Sequence, residues 1–317
     1  MKKRVLDDLL FLCLFVVLFA VPAQADWPEK PVKIIVAYGA GGGSDISARL
    51  LAQGLEKEIG QPVVVVNMTG GAGWIGWGAI AAANPDGYTI GYINVPNLFA
   101  GYLDSRIKRS ENLGSFTLMV NHITDPCVWA VRADSPYKTL ADLMGAIRKS
   151  PGQLSIAVHG NGGDDHLAYL DMERKAGIKM KVVHNNSTAI SRAQLLGGHV
   201  DVLAANVCEV FQQHQRGELI VLGVMADRRS PFLPDVATFR ERGYDLAWAS
   251  TRGIAAPAGL PDRIAARLSD ALARVIESSE HRAKAGQLGL TLDVVYGAKY
   301  REMVQREEQH IKTLMGW

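Results

Sequence analysis

Two stretches hold the residue types that could do chemistry. His159-Gly160-Asn161-Gly162-Gly163-Asp164-Asp165-His166 gathers two imidazoles and two carboxylates around three glycines. Gly39-Ala40-Gly41-Gly42-Gly43-Ser44-Asp45 is a second glycine run, ending in a hydroxyl and a carboxylate. The first set has the side chains for acid–base work or a metal. Its spacing matches no zinc template, and neither an EF-hand pattern nor His-Glu-x-x-His occurs, so no metal and no cofactor is expected. A hydrolase would need a Gly-x-Ser-x-Gly elbow, or a Ser or Cys with a His partner, and none stands out. A nucleotide site would need Gly-x-Gly-x-x-Gly or a glycine loop closed by Lys; Ser44 takes the last glycine's place and no lysine follows. What remains is binding without reaction. Glycines let a ligand approach the main chain, and the first N–H groups of a helix seat an anionic or strongly polar group. A tight strand-to-helix turn that binds nothing explains the same glycines and stays open.

The elements that must position these loops alternate. Val32–Val36 reads as a buried strand, and Ser44 with Asp45 opens a helix with apolar residues at Ile46, Leu50, Leu51, Leu55 and Ile59. Val63–Val66, a helix over Ile75–Ala83, an Asn84-Pro85-Asp86-Gly87 turn and a strand Tyr88–Ile93 follow. Strand-helix-strand-helix-strand implies parallel strands with right-handed crossovers, and crevices beyond their carboxyl ends. The alternation restarts at Val128–Val131, with helices at Leu140–Lys149, Asp164–Ala176, Ser187–Leu196 and Glu209–Gln215, and strands at Leu154–Val158, Lys181–Val183, Val200–Ala204 and Leu219–Met225. Gly197-Gly198 reads as a left-handed helix stop. Pro261 introduces an amphipathic helix bearing Ile264, Leu268, Leu272 and Ile276, and helices near Ser279–Leu288 and Lys299–Met315 finish the chain.

Lys2, Lys3 and Arg4, the apolar run Leu9–Val21 and Ala23-Gln24-Ala25 read as a secretory signal cut after Ala25. Asp7 and Asp8 interrupt that pattern and keep an uncleaved anchor open. No later segment is long and apolar enough to cross a bilayer, so a mature protein soluble outside the cytoplasm is expected. Residues 26–317 carry 31 basic and 30 acidic side chains, a formal charge of +1, which supports neither a nucleic-acid partner nor a membrane-binding face. Cys127 and Cys208 remain; an oxidising compartment permits a bridge, and apolar flanks suit two buried thiols equally.

Several short motifs together resemble one family. They are Ala-Tyr-x-x-Gly-Gly-Gly-Ser-Asp at 37–45, Gln-Pro-Val-Val-Val-x-Asn at 61–67 and Pro-Asp-Gly-Tyr-Thr at 85–89. Asp134–Leu143, Leu195–Asp201, Arg229–Val236 and Ala256–Pro261 continue in the same order. The set is similar to the extracytoplasmic solute receptors of tripartite tricarboxylate transporters, the Bug or TctC-like proteins. The resemblance implies an α/β, two-lobed periplasmic binding protein (type II-like), each lobe a mainly parallel sheet flanked by helices, with the ligand in the cleft. It implies lobe 1 at 26–126 plus 251–317, lobe 2 at 127–250, and loops 38–45 and 160–166 facing each other. It also implies capture of a small carboxylate-bearing or related polar solute by closure, no enzymatic activity, and delivery to membrane permease subunits by what is expected to be a monomer. A receptor presenting solute to a membrane sensor kinase is the alternative.

The expected ligand-binding residues are Tyr38, Gly41, Gly42, Gly43, Ser44, Asp45, Trp74, Gly162, Gly163, Asp164, Asp165, His166, Asn186 and Asn206. Three places depart from the family's pattern. Asp164-Asp165 stands where a small hydroxyl residue is usual, Asn185-Asn186-Ser187-Thr188 replaces Tyr-Lys-Gly-Gly, and Trp74 replaces an Asn. Two aspartates at a helix start are explained by capping, worth roughly 0.5–2 kcal/mol. If instead they face the cleft, like charges near 4 Å cost on the order of 1–4 kcal/mol, and the ligand carries fewer negative charges, an amine, amide or hydroxyl, or a ring stacked on Trp74.

Overall fold

A computed structural model gives the fold of residues 27–104, 107 and 109–316; the leader read over residues 1–25 lies outside these described residues. The β-branched run β1 (Val32–Val36) buries every side chain but Lys33. After the glycine run comes α1 (Gly43–Ile59), with Leu51 and Leu55 fully buried; it stops at Gly60, whose φ of 67° is left-handed. β2 (Val63–Asn67), α2 (Trp74–Ala81), β3 (Thr89–Val95) and α3 (Asn97–Leu103) complete the first unit. β1 pairs in parallel with both β2 and β3.

A long strand, β4 (Phe116–Arg132), leads into the second unit. There α4 (Leu140–Lys149), β5 (Ser155–His159), α5 (Asp164–Ala176), β6 (Lys181–Asn185) and α6 (Thr188–Leu196) precede β7 (Val202–Asn206), α7 (Val207–Gln215) and β8 (Leu219–Val224). α4 starts at a capping box in which Thr139 and Asp142 bond each other's main-chain N–H. The chain returns through β9 (Ala249–Pro257) to α8 (Asp262–Glu277), α9 (Ser279–Gln287), β10 (Leu292–Tyr296) and α10 (Gly297–Met315).

The strands follow the order β2-β1-β3-β9-β4-β7-β5-β6, with β8 and β10 also on β4. This is the α/β periplasmic-binding-protein fold. Parallel pairing holds within β2-β1-β3 and within β6-β5-β7, but the curled sheet as a whole is mixed. β4 runs antiparallel to β9 and β10 through its first part and to β7 and β8 through its last. Only Val128–Val131 of β4 was legible as strand, because Asn121, His122, Asp125 and Pro126 break its apolar pattern. Asn121, His122 and Asp125 are nevertheless fully buried, each held by polar partners from other elements.

Each unit has its own packing. Leu51, Leu55, Leu268 and Leu272 meet behind β1, whereas Val128, Leu203, Val210 and Leu219 meet behind β7. A third cluster, including Tyr38, Trp77, Trp129 and Leu167, runs through both. At the end of α6 the left-handed residue is Gly198, φ 72°, rather than Gly197. No helix of the described residues is long and apolar enough to cross a membrane.

Candidate functional site

The first glycine run brings the start of α1 to the face where the two units meet. Gly41 takes φ 78° and its N–H donates to Asp45 Oδ2 at 2.9 Å. Asp45 is turned back into its own unit: Asn67 Nδ2 bonds it at 3.0 Å and Arg49 pairs with it at 2.9 Å. Burial works against its charge, but Arg49, the Gly41 N–H and Asn67 together hold its carboxyl below the ordinary range. The Gly43 N–H has no local partner. It donates across the interface to Glu209 Oε1 on α7, at 2.8 Å.

Glu209 is the third residue of α7, and its other oxygen accepts from the Asn206 N–H at 2.9 Å. One carboxylate thus caps its own helix and reaches the opposite one. Behind Gly43 lies Arg252 of β9, 2% exposed; a Cβ on Gly43 would stand 2.5 Å from its Cζ, so glycine is required there. The guanidinium donates to Asp125 Oδ2 at 2.8 Å and to Asn206 Oδ1 at 2.7 Å. Burial raises the Asp125 carboxyl, and Arg252 opposes that rise.

The start of α5 is built differently. Asp164 and Asp165 are fully buried. Asp165 Oδ2 bonds His159 Nδ1 at 2.6 Å, and Asp164 Oδ2 accepts from Asn206 Nδ2 at 2.8 Å and from the Cys127 thiol at 3.3 Å. Burial alone would discharge His159, yet Asp165 and Asp164 push its pKa up to about 10, so the ring is an imidazolium at neutral pH. Burial likewise works to raise Asp164, and His159, Asn206 and Arg252 outweigh it and keep the carboxyl ionised. Burial and the charge on Asp164 lift Asp165 to about 7. The cluster is turned away from solvent, with Asp164 Oδ1 and Asp165 Oδ1 left without a hydrogen-bond partner.

Between these parts lies a small closed space lined by Tyr38, Gly42, Gly43, Ser44, Asn94 and Arg252 from the first unit's side, and by His159, Ser187, Thr188 and Glu209 from the second. It has room for roughly one water. A hollow of about 330 Å³ on the far side of the crossing strands, between Pro126, Trp248 and Met303, is larger. Polar groups from both units converge on the small space, which makes it the candidate site.

Of the expected residues, Tyr38, Gly42, Gly43 and Ser44 line this space, and Gly41 and Asp45 shape the loop behind it. The others have different work. Trp74 is 3% exposed and packs edge-on against Trp77 and Tyr102, with Arg109 over its ring, so it stacks on core rather than on a solute. Asp164 and Asp165 are sealed in by His159, Asn206 and Cys127. Asn206 spends its amide on Arg252, Asp164 and the Asp125 carbonyl. His166 accepts the Gly162 N–H and packs on His184; burial and that second ring push its pKa down to about 4. The Asn186 side chain is exposed, and it is its carbonyl that accepts from Gly39 N at 3.2 Å.

The two glycine loops lie at the same interface but do not oppose each other. Loop 39–43 meets the starts of α6 and α7, with Gly39 against Ser187. Loop 160–163 packs under Tyr38 and α3: Cβ atoms on Gly162 and Gly163 would stand 2.6 Å from Ala100 and 2.5 Å from the His159 carbonyl. Tyr38 separates the loops, its hydroxyl accepting from Asn97 and its ring edge-on to His159.

Sequence reasoning missed Glu209, Arg252, Asn94, Ser187 and Thr188. Asn206-x-x-Glu209 and Ser187 are visible as helix-start signals, but nothing marks their reach across the interface. Cys127 and Cys208 are free and buried. Cys127, Asp164 and Asp165 bring ligand atoms within 4.8 Å, a grouping that could hold a cation. Burial and the neighbouring carboxylates push the Cys127 thiol well up, so it offers no thiolate at neutral pH, and His159 already supplies the positive charge.

Comparison with known proteins points to one family. The family described as Tripartite tricarboxylate transporter family receptor matches residues 47–315. A Cupriavidus necator protein described as "UPF0065 protein in gbd 5'region" is 28% identical over 304 residues, covering 94% of this chain and 92% of that one. The structure of periplasmic binding protein BugD superposes with a TM-score of 0.86 at 27% identity, covering 92% of this chain and 98% of that one. The R. palustris protein Rpa4515 with adipate superposes with a TM-score of 0.83 at 25% identity, covering 91% and 97%.

Proposed function

The chain belongs to the tripartite tricarboxylate transporter receptor family, and from that premise we propose that it captures a small polar organic solute by lobe closure and delivers it to the membrane subunits of such a transporter. Lobe 1 is residues 26–126 plus 251–317 and lobe 2 is residues 127–250, hinged where β4 and β9 run side by side. The observation that carries this reading is the pair of bonds crossing the cleft, Gly43 N–H to Glu209 and Gly39 N–H to the Asn186 carbonyl, around a space walled by hydroxyls and Arg252. Those bonds close the lobes, and the lobes must part for any solute larger than a water. A solute shifts the open–closed balance only by its preference for the closed form. The adipate-bound relative supports an organic acid as the solute class. The family and a structural relative are a transporter receptor and a periplasmic binding protein, which supports a solute that leaves unchanged.

The test is a thermal-shift and calorimetric screen of small mono- and dicarboxylates, amides and aromatic acids, with small-angle scattering to follow closure. A true solute raises the melting temperature as its concentration passes Kd, by roughly 2.7 kcal/mol of stability at one hundred times Kd. A screen in which every compound leaves both melting and scattering unmoved, or turnover of any compound, overturns the proposal.

A further inference from the structure

The Gly43 amide, the start of α1 and the Arg252 guanidinium directly behind it together make a seat for a carboxylate. In this chain that seat is filled from within. Glu209 Oε1 sits 2.8 Å from Gly43 N, with Glu209 itself 3% exposed. A second feature points to the complementary group. Asn94 lines the same space, is 1% exposed, donates to Ser44 Oγ at 2.8 Å, and leaves its Oδ1 without a partner. A buried acceptor left unpaired is costly until a donor arrives.

We infer that Glu209 is the specificity-determining residue of this cleft, an internal carboxylate that occupies the anion seat of α1, excludes dianions, and restricts the solute to a neutral or monoanionic molecule presenting an N–H or O–H donor to Glu209 and Asn94. This rests on the solute-receptor reading and narrows it. A dicarboxylate would have to expel Glu209, which is held at its second oxygen by the Asn206 N–H, or place its own charge beside it. A hydroxyl, amide or ammonium group meets an acceptor instead.

The seat can be tested without knowing the solute. Glu209→Ala vacates it, and acetate should then fill it. The melting temperature of the variant rises by several degrees, saturably, with sodium acetate and not with sodium chloride at equal ionic strength, while wild type shows no difference between the salts. Equal responses in both proteins, or no acetate response in the variant, overturn the inference. Should the alanine variant fail to fold, Glu209→Gln removes the charge; its one amide oxygen keeps one of the two acceptor contacts, and its Nε2 faces the other N–H. It should bind succinate at least tenfold more tightly than wild type does, with succinamate changed less than threefold. No gain for succinate overturns the inference. The acetate result does not depend on the solute screen, so failure of the receptor reading and failure of this inference are told apart.

Discussion

The starts of α1 and α5 are built from one recipe, a glycine run leading into a helix whose first turn carries aspartate, yet they do opposite things. At α5 both aspartates are fully buried and answered from nearby by His159, Asn206 and Cys127. At α1 the aspartate is turned aside to Arg49 and Asn67, and the Gly43 amide is answered only from the second unit, by Glu209. One helix start is a sealed structural joint and the other meets the interface between the two units. A glycine-rich helix start becomes a binding place only when its own side chains leave an amide free.

Removing the cation of the sealed joint should have the largest effect. His159→Ala leaves two buried carboxylates without their imidazolium and should cost on the order of 3–5 kcal/mol in urea unfolding, since an uncompensated buried charge is severe. A loss below about 1 kcal/mol would mean the joint is not an ion cluster. Gly163→Ala comes next, at about 1–3 kcal/mol, because the new Cβ meets the main-chain carbonyl of His159, which cannot swing away. Gly145→Ala in α4 is the control; nothing lies within 4 Å of its Cβ position, and it should be neutral or stabilising.

The two starts should also respond to pH in opposite directions. His159 has a folded pKa of about 10 against an ordinary 6.5, so its contribution is complete below about 6.5 and is lost as pH rises through 10. Asp165, raised from 3.8 to about 7, favours the protonated fold and adds to the loss between those values. Asp45 is depressed below 3.8, so its contribution is present above 3.8 and is lost as pH falls through its lower folded value. Urea midpoints taken from pH 3 to 10 should therefore show an alkaline decline that His159→Gln flattens. Asp45→Ala should cost the least of the destabilising changes, about 1 kcal/mol near neutrality and less in acid, since its partner Arg49 is half exposed. An alkaline decline unchanged in His159→Gln would break the comparison.

Legibility followed locality. α4 and the residues of α5 could be delimited from apolar period and helix-start residues alone, and both match the observed ranges. β9 and β10 could not, because their strand character comes from pairing with β4 rather than from a local pattern. The same holds in the cleft. Tyr38, Gly42, Gly43 and Ser44 sit in a run whose composition announces it. Arg252 lies in a strand without signal, and Glu209 looks like an ordinary capping residue until its second oxygen is followed across the interface. Trp74 was expected at the ligand because it stands where the family's pattern has an Asn; Trp77, Tyr102 and Arg109 surround it.

By itself the order of residues determined the alternation of strands and helices, the two glycine-led helix starts and the ordered motifs that mark the family, since each depends on neighbours within a few positions. Tertiary structure alone decided which start would stay open, because that depends on what stands opposite. His159 and Asn206 close one from within its own unit, and Glu209 reaches the other from across the interface between the units. Charge compensation acts over a few ångströms of space, and only the folded chain says which residues share them.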